Sequence, residues 1–222
     1  EDDEDFGGAV EPPPRELSEA EKTELNSFIE KRSTRGWPWG NWRDNYNHID
    51  RNKVVPPTLL EKALSHFHFN RHLFANKNYI SIIDYSRHSK WRRFFIIDMR
   101  SGSVTPVHVA HGSGSDQSKS GFAKLFSDNE GSKMSSLGFA RTAETYYGKH
   151  GLSLRLDGMS LTNRNLRNRA VVVHGASYVH DYDERQGNSW GCPAVSQANY
   201  QALINRIKGG SLIFSGLSGK NN

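Results

Sequence analysis

The chain holds a single cysteine, Cys192, among its 222 residues. One thiol cannot close an intramolecular disulfide or build a multi-thiolate metal site, so whatever Cys192 does it does alone. Long apolar runs are also missing. A helical membrane span needs roughly 18 or more consecutive apolar residues, and none is present, so no transmembrane segment is expected. The first residues, Glu1 to Asp5, are acidic where a secretory signal is basic and then apolar. A targeting segment is therefore expected to be absent from this chain, as in a mature or trimmed form, and localisation has to follow from function. The formal charge is +5, yet the basic residues form no tight run longer than Lys31-Arg32 or Arg92-Arg93. Nucleic acid is not expected as a partner, although some anionic polymer suits the charge.

What is present suits a loop-rich, strand-containing protein better than a helical bundle: 35% apolar residues, 11% aromatic, 24% charged and 20 glycines. Residues 1–16, with EDDED, paired glycines and Pro12-Pro13-Pro14, read as a flexible leader that cannot build a core. Residues 17–75 read as a helical N-terminal segment packed on the catalytic unit. Ser18 with Glu21, then Thr58 with Glu61, are capping-box patterns. Leu25, Phe28 and Ile29 come after the first, and Leu59, Leu60, Ala63, Leu64 and Phe67 after the second, each at helical spacing. Trp37, Trp39 and Trp42 between them match no motif and are expected to pack on the rest of the protein.

Residues 76–222 read as the catalytic unit. Tyr79 to Tyr85, Phe94 to Met99 and Ser103 to Ala110 are short aromatic or β-branched runs separated by turn residues, which predicts strands joined by hairpins and an antiparallel start to the sheet. Short strands and long loops are expected through the glycine-punctuated middle. Ala170 to Val173 reads as a strand that delivers His174 at its end. A last helix is expected from a cap at Ser196 to Lys208, with a final strand at Ser211 to Ser215.

Chemistry concentrates in two segments, His174-Gly175-Ala176 and Ser189-Trp190-Gly191-Cys192-Pro193-Ala194. A free thiol is barely ionised near neutrality; an imidazole that takes its proton makes it a nucleophile for acyl transfer. Cys192 is thus the candidate nucleophile and His174 its base. Successive N–H groups of Trp190, Gly191 and Cys192 can receive an oxyanion, each such donor being worth about 3 kcal/mol. Ser189 is expected to contact substrate or to shape the cysteine loop, and Tyr178 to line the cleft. Ser136, in a Ser-Ser-Leu-Gly turn, and the glycine-flanked His111 are further candidate substrate contacts. His108 and His111 lie three positions apart on an expected strand, which aims them at opposite faces and argues against one shared metal ion. Neither a metal nor a cofactor is expected.

The pattern His-Gly followed by Ser-x-Gly-Cys resembles the signature of the L,D-transpeptidase catalytic domain, the YkuD-like cysteine enzymes. HGASYV, GNSWGCPAV, VAHGSGS, FSDNEGSKMSSLGFA and YYGKHGLSLRLDGM are similar to the murein branch of that family, over about Tyr79 to Phe214. The resemblance implies a mainly β catalytic domain of sandwich or barrel type, α+β overall with its flanking helices. It also implies that the backbone carbonyl of Gly175 orients His174 across a substrate tunnel from Cys192. The implied substrate is a peptidoglycan stem tetrapeptide: Cys192 attacks at the L-centre of its diamino acid, D-alanine leaves, and an acceptor amine resolves the thioester as a crosslink. Resolution by water, as an L,D-carboxypeptidase, or by a free D-amino acid are alternatives on the same thioester. A non-catalytic wall-binding module and a zinc hydrolase using His108, His111, His174 or His180 are the readings from other classes. The family also implies an exported, periplasmic or envelope protein; an activated thiol that forms a thioester predicts carbapenem acylation of Cys192, and the oligomeric state stays open, with a monomer assumed. Two positions depart from the pattern. Trp190 stands where many members have His or Asn, and Ala194 where an arginine is usual, so Arg155 or Arg169 is expected to meet the donor carboxylate.

Overall fold

The computed structural model describes residues 41–219. The leader, the capping box of Ser18 and Glu21, and Trp37 and Trp39 lie outside them. Among the described residues one eight-stranded sheet organises the molecule, with two α-helices packed on it: α1 (Pro57–Phe69) and α2 (Tyr200–Ile207). The strands are β1 (Tyr79–Asp84), β2 (Phe94–Asp98), β3 (Val104–Val107), β4 (Gly138–Gly148), β5 (Gly151–Gly158), β6 (Val172–Ala176), β7 (Ala194–Ser196) and β8 (Leu212–Gly216). Their order across the sheet is β3-β2-β1-β8-β4-β5-β6-β7. The first three strands are antiparallel, as the hairpin signals predict, whereas β1 joins β8 and β6 joins β7 in parallel.

Two-residue periodicity divides the core between the faces of the sheet. Ile80, Ile82, Phe95, Ile97, Leu212 and Phe214 point to one side, where Leu59, Ala63 and Phe67 of α1 cover them at spacings of one helical turn. Ile83, Phe94, Ile96 and Ile213 point to the other and pack in one cluster with Leu203, Ile204 and Ile207 of α2. Each buried Leu, Ile or Phe contributes about 1.5–3 kcal/mol. Trp42 joins the α1 side, its ring close to those of Tyr46, His68 and Phe69.

Several expected boundaries shift for local reasons. Helix α1 starts at Pro57, whose fixed φ suits a first helical position; no side chain caps it, so Thr58 and Glu61 form no capping box. Ser196 ends β7 and donates to Asp181 at 2.8 Å, leaving Asn199 to precede α2. β4 and β5 are longer than the glycine-rich sequence suggested. They form one hairpin, Gly148 opposite Gly151, with Lys149 and His150 as its two-residue turn. Ala170 adopts φ 51, so β6 begins only at Val172 and His174 sits inside the strand rather than at its end.

The sheet nearly closes on itself. After β3 the backbone leaves regular structure, and residues 110–113 run against the segment leading into β7. The Ala110 N–H donates to Ala194 O (2.9 Å), the Ser189 N–H to His111 O (2.9 Å) and the Ser113 N–H to Ser189 O (2.7 Å). On the other flank of this seam a Cβ at Gly112 would lie 2.2 Å from Lys133 O, so only glycine permits the approach.

Candidate active site

The seam fixes where Cys192 stands. β7 is paired in parallel with β6 so that Ala194 lies opposite His174, and Cys192 therefore enters two residues ahead of the histidine's own neighbour. Gly191 makes the entry possible: it has φ 112, and a Cβ there would meet Met134 O at 2.6 Å. Ser189 ties the loop. Its Oγ accepts from the Gly191 N–H (3.1 Å) and donates to Cys192 O (2.6 Å). Ala194 is wholly buried in a small apolar cluster with Ala110, Ala176 and Val179, which leaves no room for a longer side chain.

Cys192 and His174 line one cleft of about 460 Å³. Tyr146, Lys149, His150 and Ser153 come to it from the β4–β5 hairpin, Arg169, Ala170 and Val172 from the approach to β6, and Tyr178, Asn188, Ser189 and Trp190 from the loops around the thiol. The Cys192 Sγ accepts from the Val172 N–H at 3.5 Å and lies 3.9 Å from Ala170 O. Among the described residues no hydrogen bond joins it directly to the imidazole; such contacts often tighten only when substrate binds. His174 Nδ1 is 2.9 Å from Gly175 O. A carbonyl can only accept, so this bond assigns the proton to Nδ1 and leaves a lone pair on Nε2. The imidazole also stacks on that of His150, centroids 4.3 Å apart and 23° between planes. Glycine is required at 175 because a Cβ would lie 2.7 Å from the Tyr200 ring.

Burial dominates the electrostatics of both groups. It pushes the Cys192 thiol up, against the opposing pull of the Val172 N–H and the positive charges of Arg169 and Lys149. It pulls His174 down, the Gly175 carbonyl opposing and His150 and Lys149 adding to the effect. Burial likewise pushes the Tyr178 phenol up to about 12. The free enzyme at neutral pH thus holds a thiol beside a neutral imidazole, rather than a preformed ion pair.

The other candidates divide. Ser189, Tyr178 and Trp190 line the cleft. Arg155 does not: its Nε faces Glu144 at 3.3 Å and its guanidinium lies over Tyr146. Ser136 is outside the lining and accepts from Arg169 Nη1 at 2.7 Å. His111 is wholly buried behind the cysteine loop, where Nδ1 meets Arg93 at 2.7 Å and Nε2 faces Asp116 at 3.4 Å. Because β3 stops at Val107, His108 is not on the strand expected to aim it and His111 at opposite faces. His108, His111, His174 and His180 bond to separate partners, and among the described residues no cluster of three metal-binding side chains occurs. The Gly191 N–H is spent on Ser189, whereas the Trp190 and Cys192 N–H groups have no hydrogen-bond partner among the described residues.

Arg169 reaches the cleft wall but is committed to structure. It donates to Ser127 O (2.9 Å), Ser136 Oγ (2.7 Å), Ser132 Oγ (3.2 Å) and Met134 O (2.8 Å), with Asp128 at 3.8 Å. Sequence reasoning missed Lys149, His150 and Asn188. The two-residue turn between Gly148 and Gly151 was the available signal for the first two.

The family model described as the L,D-transpeptidase catalytic domain matches residues 51–215. Similar solved structures include an L,D-transpeptidase from Mycobacterium smegmatis, with TM-score 0.39 and 12% identity over 63% of this chain and 58% of that one. The LD transpeptidase LdtMt1, solved in complex with imipenem, has TM-score 0.39 and 14% identity over 63% and 59%. An L,D-transpeptidase from Stackebrandtia nassauensis has TM-score 0.39 and 10% identity over 90% and 93%. The chain spans less than two thirds of the length of the first two. No curated protein sequence matches it.

Proposed function

The chain belongs to the L,D-transpeptidase catalytic-domain family, and on that premise we propose that it is a cysteine acyltransferase that crosslinks peptidoglycan stem peptides. The observation that carries this reading is the meeting in one cleft of a lone thiol and an imidazole whose Nε2 is free to accept a proton. Substrate binding brings the donor carbonyl of the diamino acid's L-centre to Sγ. His174 Nε2 takes the thiol proton as the S–C bond forms. The carbonyl oxygen becomes an oxyanion held by the Trp190 and Cys192 N–H groups, the two that the loop leaves unbonded. Gly191 supports the loop instead of joining the hole.

Collapse of the tetrahedral intermediate breaks the C–N bond to D-alanine, whose nitrogen takes the proton back from the imidazolium. A thioester on Cys192 remains. The amine of a second stem attacks it, gives a proton to His174, and Cys192 leaves as thiolate and is reprotonated. The product joins two third-position residues. Water in place of the amine gives a tripeptide, and a free D-amino acid gives an exchanged stem, so these activities share every step up to the thioester. Tyr178 and Ser189 line the donor side, Ser189 chiefly by holding the cysteine loop. Such chemistry belongs outside the cytoplasmic membrane, so the protein acts in the cell envelope. No helix among the described residues is long and apolar enough to cross a membrane.

Purified protein incubated with tetrapeptide muropeptides should release D-alanine and yield crosslinked dimers, read by mass spectrometry, and Cys192→Ala should yield neither. Binding to cell wall that survives Cys192→Ala, with no turnover by the parent, would instead establish a wall-binding module. Product ratios with and without an added amine acceptor separate crosslinking from trimming and exchange.

A further inference from the structure

Lys149 has no catalytic or structural task in the steps above, yet its position is unusual for a surface lysine. The cleft contains no aspartate or glutamate in its lining. Two permanent cations reach it, Arg169 and Lys149, and the first is held by backbone carbonyls, two serine hydroxyls and Asp128. Lys149 is exposed and makes no ion pair or side-chain hydrogen bond among the described residues. It is nevertheless near enough to influence the charge states of both Cys192 and His174.

The turn that carries it is placed by the fold. The β4–β5 ladder runs through the pairs Tyr146↔Ser153, Tyr147↔Leu152 and Gly148↔Gly151, which fixes the turn over the cleft. The neighbouring His150 ring lies flat against the imidazole of His174 and holds the turn there. An uncommitted ammonium in a cleft that holds a thiol and no carboxylate is suited to an anion that lies close to the reacting carbonyl. A lysine on a flexible stem can meet a carboxylate without the bidentate geometry an arginine demands.

We propose that Lys149 is the specificity-determining residue for the donor: it binds the free carboxylate of the residue that leaves. This inference rests on the acyl-transfer reading above and adds to it the residue that recognises the donor's terminal carboxylate, one residue beyond the scissile bond.

The test compares two donors that differ only at that end, a tetrapeptide with a free terminal carboxylate and the same peptide as its carboxamide. The rate of release of D-alanine or D-alaninamide is followed for the parent chain, Lys149→Met and Lys149→Arg. The expected result is a parent preference for the acid, lost in Lys149→Met through a fall in kcat/KM of roughly tenfold to a hundredfold on the acid alone. Turnover of the amide should hardly change, and Lys149→Arg should recover most of the preference. The ratio separates recognition from any general effect of the charge on the thiol, which moves both donors together. An unchanged acid-to-amide ratio in Lys149→Met, or an equal loss on both donors, overturns the proposal while leaving the enzymatic reading in place. Release from neither donor by the parent, with no acylation of Cys192, refutes that reading itself and takes this proposal with it.

Discussion

Burial raises the Cys192 thiol and lowers His174, so on the proposed mechanism the nucleophile is made on demand when substrate arrives. Alkylation of Cys192 in the free protein should therefore climb with pH through and beyond 9, the ordinary thiol value, with no plateau near neutrality. A plateau below neutral pH would reveal a standing thiolate–imidazolium pair and contradict this description. The same directions set the acid side of activity: a depressed His174 keeps its lone pair below its ordinary value of 6.5, so turnover should persist under mildly acidic conditions. That Cys192 and His174 meet in one cleft was legible in the sequence because the pair is marked by residue type and short motifs. Which N–H groups of the cysteine loop stay unbonded was only partly so. That Gly191 spends its N–H on Ser189 depends on a side-chain orientation that no spacing reveals. Lys149 and His150 arrive from a hairpin far away in sequence, and Arg155, one strand register away, turns to Glu144 instead.

Elements place these residues by register. The parallel β6–β7 pairing aligns histidine and cysteine segments, and the seam from Ala110 to Ser113 supports the cysteine loop from behind. Arg169 binds this arrangement to the loop at 127–136, its guanidinium buried against carbonyls and Asp128. Arg169→Met should cost about 3–5 kcal/mol, because it strips one partner from a buried pair and leaves acceptors unsatisfied. Chemical denaturation measures that loss, and faster alkylation of Cys192 in the folded variant would report a loosened loop. A cost under about 1 kcal/mol would show that the guanidinium is merely a surface group. Strands β1, β2 and β8 were readable because alternation and β-branching dominate short buried strands. β3 was overextended and β6 placed too early. One gives way to the irregular seam after Val107, and the other is delayed by the left-handed Ala170, neither of which an apolar run discloses. Ser196 looked like a cap because serine favours that role, but tertiary contact with Asp181 claimed its hydroxyl.

For the molecule as a whole, a nearly closed sheet with helices on both faces follows from strand texture and two amphipathic helices, and the mainly β class was within reach of the sequence. The closing seam was not, since it joins segments with no regular pattern. The buried interior makes the fold acid-sensitive. His66 is stacked on Phe139 and lowered to about 4, and His111 lies behind the cysteine loop and is lowered to about 3, both chiefly by burial. Their unfolded forms take up protons near 6.5 while the folded ones do not. The stability they contribute is therefore complete above 6.5 and drains as pH falls toward 4 and 3, by at most about 1.4 kcal/mol per pH unit for each group. Melting temperatures measured from neutral pH downward should decline through that window; a flat profile would show that these imidazoles accept protons in place. The central claim is that acyl transfer passes through one sulfur, and intact-protein mass after mixing with a donor tetrapeptide reads it directly. The account predicts a mass increase equal to the tetrapeptide less D-alanine, mapped to Cys192, abolished in Cys192→Ala and delayed in His174→Ala. Release of D-alanine by Cys192→Ala at the parent's rate, or an adduct on any other residue, would contradict it.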